Sequence, residues 1–214
     1  MIAITGTGRS GTSFLVEVYG ALGFGRSRED VEMLKLNQKI MEGLSLSVLG
    51  APGQMHLPLQ ECYSSGELMQ WGQVKPLADQ LGEGLCSYAA RNPVVKDPRL
   101  MWTLPVWVAA GVGIEHVAIS LRYFEGVTES LKKFPAPWQF APGEANIGYA
   151  YGVGLCISTC LFNHIPFSLL HFPHYLKCPA VLHGELKFPR DVGLPEFLDA
   201  FQQVYQEERV HDWG

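Results

Sequence analysis

The sequence GTGRSGTS, residues 6–13, lies between two segments with different apolar patterns. Residues 1–5 are apolar and β-prone, whereas residues 12–22 repeat apolar side chains at the spacing of a helix. The pattern predicts a strand, a tight turn and a helix. Glycines let the backbone N–H groups of such a turn point inward, and the helix N-terminus adds positive potential. The turn is therefore predicted to bind a phosphate group, with further hydrogen bonds from Ser10, Thr12 and Ser13.

The turn matches the phosphate-binding template G-x-x-x-x-G-K-[ST] at all but one of its defined positions. Gly6 and Gly11 match its two glycines, and Ser13 matches its last position. Thr12 replaces the lysine that a kinase or NTPase places on the β- and γ-phosphates. A cation is present instead at Arg9. The sequence thus predicts a phosphate-binding turn and disfavours an ordinary kinase.

Strands and helices alternate along the rest of the chain. Apolar β-like runs at 93–96, 116–121 and 166–172 alternate with helical patterns at 30–47, 67–91, 102–110, 123–134, 146–163 and 194–206. Such alternation is typical of βαβ units, so we expect one domain, residues 1–214. The expected fold class is α/β, a three-layer P-loop-like fold with a central, mostly parallel sheet flanked by helices. Ligands bind beyond the carboxyl ends of such strands, where Gly6, Asp97 and Arg122 are expected.

The turn resembles the 5′-phosphosulfate loop of bacterial-type sulfotransferases, which reads approximately G-x-x-[RK]-[SG]-G-T-[TS]. These enzymes transfer a sulfuryl group from 3′-phosphoadenosine 5′-phosphosulfate (PAPS) and release 3′-phosphoadenosine 5′-phosphate (PAP). The resemblance implies that Arg9 stabilises charge on the leaving phosphate, as fixed cations do in transition states. It also implies a cofactor-binding set made of Gly8, Arg9, Ser10, Gly11, Thr12 and Ser13.

Two further segments resemble the same family. Its members bind the 3′-phosphate with an arginine at a strand end and a serine eight residues later, and Arg122 and Ser130 have that spacing. Phe124 stands where the family usually has proline. The segment KDPRL, residues 96–100, followed by LPVW, residues 104–107, is similar to one in bacterial members. It implies that Lys96 contacts cofactor or acceptor and that Asp97 and Arg99 form a supporting ion pair; the alternative is a purely structural salt-bridge cluster.

Sulfuryl transfer to an alcohol or amine needs a general base. The family uses histidine or glutamate, and Glu29 precedes Leu36-Asn37 at the offset seen in bacterial relatives. Glu29 is therefore the first candidate. Asp30, Glu32 and His56 remain alternatives.

The net charge and the cysteine spacing argue against some classes of function. The net charge is −5, from 21 acidic and 16 basic residues, which disfavours a nucleic-acid binder. Much of the acidic excess lies in residues 185–214, beyond the proposed phosphate motifs. Five cysteines without zinc spacing indicate free thiols in a reducing compartment and no metal site.

No signal peptide is expected at the start of the chain. The apolar run Ile147–Phe162 is shorter than the ~20 residues of a membrane span and predicts a buried helix. We therefore expect a cytoplasmic protein.

The sequence thus favours a PAPS-dependent sulfotransferase acting on a small-molecule or saccharide acceptor. A P-loop nucleotide-dependent kinase or NTPase and a non-catalytic nucleotide-binding relative remain alternatives. The acceptor and the oligomeric state stay open.

Overall fold

The computed structural model describes residues 1–7, 10–25, 30–44, 71–123, 125–126, 129 and 142–207. Within these residues a sheet of four strands has the order β2-β1-β3-β4, and every neighbouring pair is parallel. The strands are β1 (Ile2–Gly6), β2 (Val94–Lys96), β3 (His116–Arg122) and β4 (Phe167–Phe172). All four were predicted from the apolar runs, with bounds that agree to within one or two residues.

Helices connect the strands and follow the last one. They are α1 (Thr12–Ala21), α2 (Val31–Gly43), α3 (Val74–Arg91, after a 3-10 turn at Trp71–Gln73), α4 (Leu100–Ala109), α5 (Pro142–Phe162), α6 (His174–Lys177), α7 (Pro179–Glu185) and α8 (Leu194–Glu207). The two short helices α6 and α7 were not predicted, because neither is long enough to show a helical period. The predicted helix at 123–134 and the predicted loop at 50–66 lie largely or wholly outside the described residues.

The sheet separates two hydrophobic cores. Successive side chains of a strand point to opposite faces, so Ala3 packs in one core while its neighbours Ile2 and Ile4 pack in the other. The first core contains buried residues of α2, α3, α4 and α5, and the second contains those of α1, α6, α7 and α8. The predicted α/β class, with helices on both faces of a central sheet, is therefore confirmed.

The cysteines of the described residues are free thiols. Cys156 and Cys160 are buried in the first core on α5, as the apolar run predicted, and Cys86 and Cys178 are exposed. Cys62 lies outside the described residues. Among the helices described, none combines the length and the apolar content required to cross a bilayer.

A buried histidine at the start of β3 links stability to pH. One ring nitrogen of His116, Nε2, lies 3.2 Å from the Ser168 hydroxyl oxygen on β4. Burial lowers the pKa of His116, an effect that the nearby Glu185 carboxylate partly opposes. The unfolded chain therefore takes up a proton near pH 6.5 that the folded protein resists, and stability falls as the pH drops through that value.

We expect His116→Gln to lose less stability than the parent protein between pH 7 and pH 5.5. Thermal unfolding midpoints at the two pH values measure this difference. Equal losses in the two proteins would show that protonation of His116 does not contribute.

Candidate functional site

Both template glycines have conformations that exclude a side chain. Gly6 has φ +151°, and a Cβ added there would lie 2.0 Å from the carbonyl oxygen of Ser120. Gly11 has φ +79°, and its added Cβ would lie 2.3 Å from the Phe172 ring and from the Tyr175 hydroxyl. Only glycine combines these dihedrals with such close contacts. The neighbouring strand β3 therefore restricts the turn at Gly6, and the β4–α6 segment restricts it at Gly11.

Hydrogen bonds hold the second half of the turn against the same elements. The Ser120 hydroxyl donates to the carbonyl oxygen of Ser10, and the Tyr175 hydroxyl donates to the carbonyl oxygen of Gly11 at 3.1 Å. Burial raises the pKa of Tyr175, so its hydroxyl keeps its proton and remains a donor. These bonds fix the direction in which the turn enters α1.

The N-terminus of α1 carries features that suit an anion. Gly11 is its N-cap residue, no side chain of the described residues caps it by hydrogen bonding, and its first turn contains no acidic residue. The hydroxyls of Thr7 and Ser10 are buried and have no hydrogen-bond partner among the described residues. Thr12 is buried and Ser13 half-buried in the first turn of the helix. Uncapped N–H groups and unpaired hydroxyls together match the donors that a phosphate or sulfate group requires.

The sheet brings Arg122 to the same edge as the turn. β1 and β3 are neighbours with Gly6 opposite Ser120, and Arg122 lies two residues further along β3. Its guanidinium carbon lies 5.3 Å from the centre of the Phe172 ring on β4. A Cβ added at Gly126 would lie 2.6 Å from Nε of Arg122, so the absence of a side chain there leaves room for the guanidinium.

The guanidinium group of Arg122 is partly buried. Burial lowers the pKa of Arg122, and the Glu129 carboxylate opposes that change. An arginine stays protonated in proteins, so the group remains cationic.

Three of the predicted cofactor-binding residues, Gly8, Arg9 and Ser130, lie outside the described residues.

The ion pair predicted after β2 is present and buried. Arg99 Nε lies 3.3 Å from Asp97 Oδ1, and the two residues are 3% and 1% exposed. Asp97 also accepts hydrogen bonds from the backbone N–H of Arg99 at 2.9 Å and from Asn37 Nδ2 at 2.8 Å. Arg99 Nη1 donates to the carbonyl oxygen of Leu34 on α2 at 3.2 Å. Their burial favours the structural interpretation for Asp97 and Arg99, whereas Lys96 at the strand end is half-buried.

A buried polar network extends this ion pair into α4, and sequence reasoning missed it. Asn37 Oδ1 accepts from the Thr103 hydroxyl at 2.7 Å and from Trp107 Nε1 at 2.9 Å. The sequence signal was the spacing of Thr103 and Trp107, which are four residues apart and therefore share one helix face. The network connects α2, α4 and the end of β2.

The candidate bases divide into two groups. Glu29 and His56 lie outside the described residues. Asp30 is the N-cap of α2: its carboxylate accepts from the backbone N–H groups of Glu32 at 2.9 Å and Met33 at 3.1 Å. The Glu32 carboxylate pairs with Arg91 at 2.7 Å on the surface.

The Asp30 carboxylate has one more partner. The Tyr88 hydroxyl donates to Asp30 Oδ2 at 3.0 Å, and burial together with that carboxylate raises the pKa of Tyr88. Asp30 and Glu32 are thus both engaged in structural contacts.

An aromatic cluster beside Arg122 is a second feature that the sequence analysis did not identify. The rings of Tyr123 and His171 are 4.3 Å apart between centroids, and those of His171 and His174 are 4.6 Å apart. Burial and the neighbouring His174 lower the pKa of His171. Tyr123 is 63% exposed, so the cluster borders solvent at the carboxyl end of β3.

Among the described residues, no group of three or more His, Cys, Asp or Glu side chains is arranged to hold a metal ion. Comparisons of the chain with protein-family models and with curated proteins find no match.

Proposed function

We propose that this protein is a PAPS-dependent sulfotransferase that transfers a sulfuryl group to a hydroxyl or amine of a small-molecule or saccharide acceptor. One observation carries the proposal. The glycine turn, with its uncapped helix N-terminus, and Arg122 lie at the carboxyl ends of two adjacent parallel strands. PAPS carries phosphate groups on the 3′ and 5′ oxygens of one ribose and therefore needs two anion sites, and ligands of α/β sheets bind at this edge.

The residues of the turn fit the 5′-phosphosulfate end. The unpaired buried hydroxyls of Thr7 and Ser10 are donors that water or an anion must satisfy, because a buried hydroxyl without a partner is costly. The set proposed to hold this end is Gly8, Arg9, Ser10, Gly11, Thr12 and Ser13. Arg122 and Ser130 hold the 3′-phosphate.

PAPS supplies the activated sulfuryl group when it is bound. Arg9 stabilises the negative charge that develops on the leaving phosphate. Each preorganised donor of this kind increases the rate about 10²–10³-fold. Glu29 accepts the proton from the acceptor hydroxyl or amine. Lys96, at the end of β2, contacts the reacting groups, and the buried pair Asp97–Arg99 supports the strand end that carries it.

Calorimetric titration with PAP tests the proposal. We expect the parent protein to bind PAP and Arg122→Ala to bind it roughly 10- to 100-fold more weakly, because hydrogen bonds to charged groups contribute about 1.5–3 kcal/mol. Arg190→Ala is the matched control, since Arg190 is half exposed and forms an ion pair with Glu196 on the surface. Its affinity for PAP is expected to stay unchanged.

Two results would overturn this assignment. One is the absence of PAP binding by the parent protein, and the other is undiminished affinity in Arg122→Ala with a native circular dichroism spectrum. Tighter binding of ATP with Mg²⁺ than of PAP would favour the kinase or NTPase instead. An acceptor screen with labelled PAPS then distinguishes an enzyme from a non-catalytic nucleotide-binding relative.

We expect the protein to act in the cytoplasm, as its cysteine spacing predicts.

A further inference from the structure

Two residues outside the glycine turn, Ser120 on β3 and Tyr175 on α6, hold its backbone carbonyl groups. The Ser120 hydroxyl donates to the carbonyl oxygen of Ser10, and the Tyr175 hydroxyl donates to that of Gly11. The Tyr175 hydroxyl oxygen also lies 3.5 Å from the Ser10 carbonyl oxygen. Ser120 and Tyr175 are 0% and 7% exposed, so both bonds are made away from bulk water. The two carbonyl groups are therefore fixed on the side of β3 and α6.

Ser120 also holds the turn at its other end. Its carbonyl oxygen accepts a hydrogen bond from the N–H of Thr7 at 3.2 Å, and a Cβ added at Gly6 would lie 2.0 Å from the same oxygen. Thr7 lies before the middle of the turn in the chain, and Ser10 lies after it. One residue of β3 thus bonds both flanks of the turn, with its main chain on one flank and its side chain on the other.

The direction of each carbonyl group determines where the next N–H group points. A peptide bond is planar and trans, so the C=O of one residue and the N–H of the next point in opposite directions. Because the carbonyl groups of Ser10 and Gly11 point towards β3 and α6, the N–H groups of Gly11 and Thr12 point away from them. The first N–H groups of a helix have no acceptor within the helix, so these two need an acceptor from elsewhere.

Two buried hydroxyls in the turn need the same kind of ligand. Thr7 and Ser10 are 3% and 0% exposed, and neither hydroxyl has a hydrogen-bond partner among the described residues. The Ser10 hydroxyl lies beside Gly6, since a Cβ added at Gly6 would lie 3.0 Å from its oxygen. Buried hydroxyls without a partner are costly, so a group with several acceptor oxygens complements this end of α1.

We propose that Ser120 and Tyr175 are positioning residues of this anion site, which hold the turn so that the two N–H groups at the start of α1 face a bound phosphate or sulfate group. The inference rests on the anion binding of the proposed function and not on the transfer of a sulfuryl group. Without the two hydroxyls the turn populates other backbone conformations. The apparent affinity then falls in proportion to the fraction of molecules whose turn is competent to bind.

Tyr175→Phe tests this role, because it removes the hydroxyl and keeps the ring that packs against Phe14 and Phe172. We expect it to bind inorganic phosphate and PAP about two- to tenfold more weakly than the parent protein, an effect of the size of one hydrogen bond. Tyr19→Phe is the matched control. Tyr19 is buried towards the other end of α1, and its hydroxyl donates to the carbonyl oxygen of Lys187 at 2.6 Å. Its loss is expected to leave both affinities unchanged.

Ser120→Ala tests the second hydroxyl in the same way. We expect a weakening of about two- to tenfold for both ligands, and a larger one in the double variant with Tyr175→Phe. Ser168→Ala is its matched control, because Ser168 is a buried serine of the neighbouring strand β4 whose hydroxyl donates to the carbonyl oxygen of Glu185. Its affinity for phosphate is expected to equal that of the parent protein.

Amide NMR distinguishes positioning from a purely structural role. Saturating phosphate is expected to shift the N–H resonances of Gly11 and Thr12 downfield in the parent protein, and to shift them less in Tyr175→Phe. A purely structural role would lower the thermal unfolding midpoints of Tyr175→Phe and Tyr19→Phe alike, and would leave the affinities and these two shifts as they are in the parent.

The outcomes separate this inference from the proposed function. Undiminished phosphate affinity in Tyr175→Phe and Ser120→Ala, or equal weakening by Tyr19→Phe, overturns the positioning role even if PAP binds. PAP binding without shifts at Gly11 and Thr12 also overturns it and leaves the proposed function in place. Phosphate binding that depends on both hydroxyls, in a protein without affinity for PAP, supports the positioning role and overturns the sulfotransferase assignment. A parent protein that binds neither ligand overturns both.

Discussion

Gly11→Ala is expected to destabilise the protein by about 3–4 kcal/mol, and Gly111→Ala by only about 1 kcal/mol. Both glycines have φ +79°, so the left-handed backbone penalty of the new side chain is the same at the two sites. The methyl group at position 111 meets no atom within 4 Å, whereas the one at position 11 would lie 2.3 Å from the Phe172 ring and the Tyr175 hydroxyl. The difference between the two losses therefore isolates the crowding at the turn.

Urea unfolding of the two variants and the parent measures this difference. Both substitutions reduce the entropy of the unfolded chain by the same amount, so that contribution cancels between them. Equal destabilisation by the two substitutions would mean that the β4–α6 segment does not hold the turn. Because the Tyr175 hydroxyl also bonds the Gly11 carbonyl, we expect Gly11→Ala to weaken PAP binding even where the protein stays folded.

The fold was predictable because its signals are local. The shift from a β-prone run to a helical period around residues 6–13 needs no knowledge of distant residues, and β2 was found although it has only three residues. The two short helices α6 and α7 escaped detection for the opposite reason: four and seven residues do not establish a period of 3.6.

One part of the candidate site could be predicted from the parallel arrangement of the strands. Parallel strands place their carboxyl ends at one edge, so Gly6 and Arg122 were expected together, and the structure places both there. The Asp97–Arg99 ion pair is a contact between residues two apart. The order of the strands was beyond sequence reasoning, because strand order is set by tertiary packing.

The polar network around Asn37 was likewise hidden from the sequence. Its partners Asp97, Thr103 and Trp107 lie 60, 66 and 70 residues away along the chain. Helical spacing from Met33, Ile40 and Met41 places Asn37 on the buried face of α2, but that spacing does not identify its partners. Only the packing of α2 against α4 and the end of β2 makes this amide the centre of a buried cluster.

Asn37→Ala is expected to cost about 2–5 kcal/mol of folding free energy, because each buried group that loses its partner costs about 1–3 kcal/mol. The amide donates to Asp97 Oδ2 and accepts from Thr103 and Trp107, so its loss leaves a buried carboxylate oxygen and an indole N–H without those partners. Thr103 keeps a second acceptor, the carbonyl oxygen of Arg99 at 3.3 Å. Most of the cost therefore comes from Asp97 and Trp107.

Gln38→Ala is the matched control for this substitution, because it removes a neighbouring amide whose hydrogen bond to Glu42 is exposed. We expect a loss of less than about 0.5 kcal/mol there, as for most surface changes. In a Trp107→Phe background the orphaned N–H is already absent, so Asn37→Ala is expected to cost about 1–2 kcal/mol less than in the parent. Urea unfolding of the four proteins in this cycle measures that coupling, and a coupling of zero would contradict the hydrogen bond between α2 and α4. A non-zero value means that the buried amide of Asn37 links α2 to Trp107 on α4.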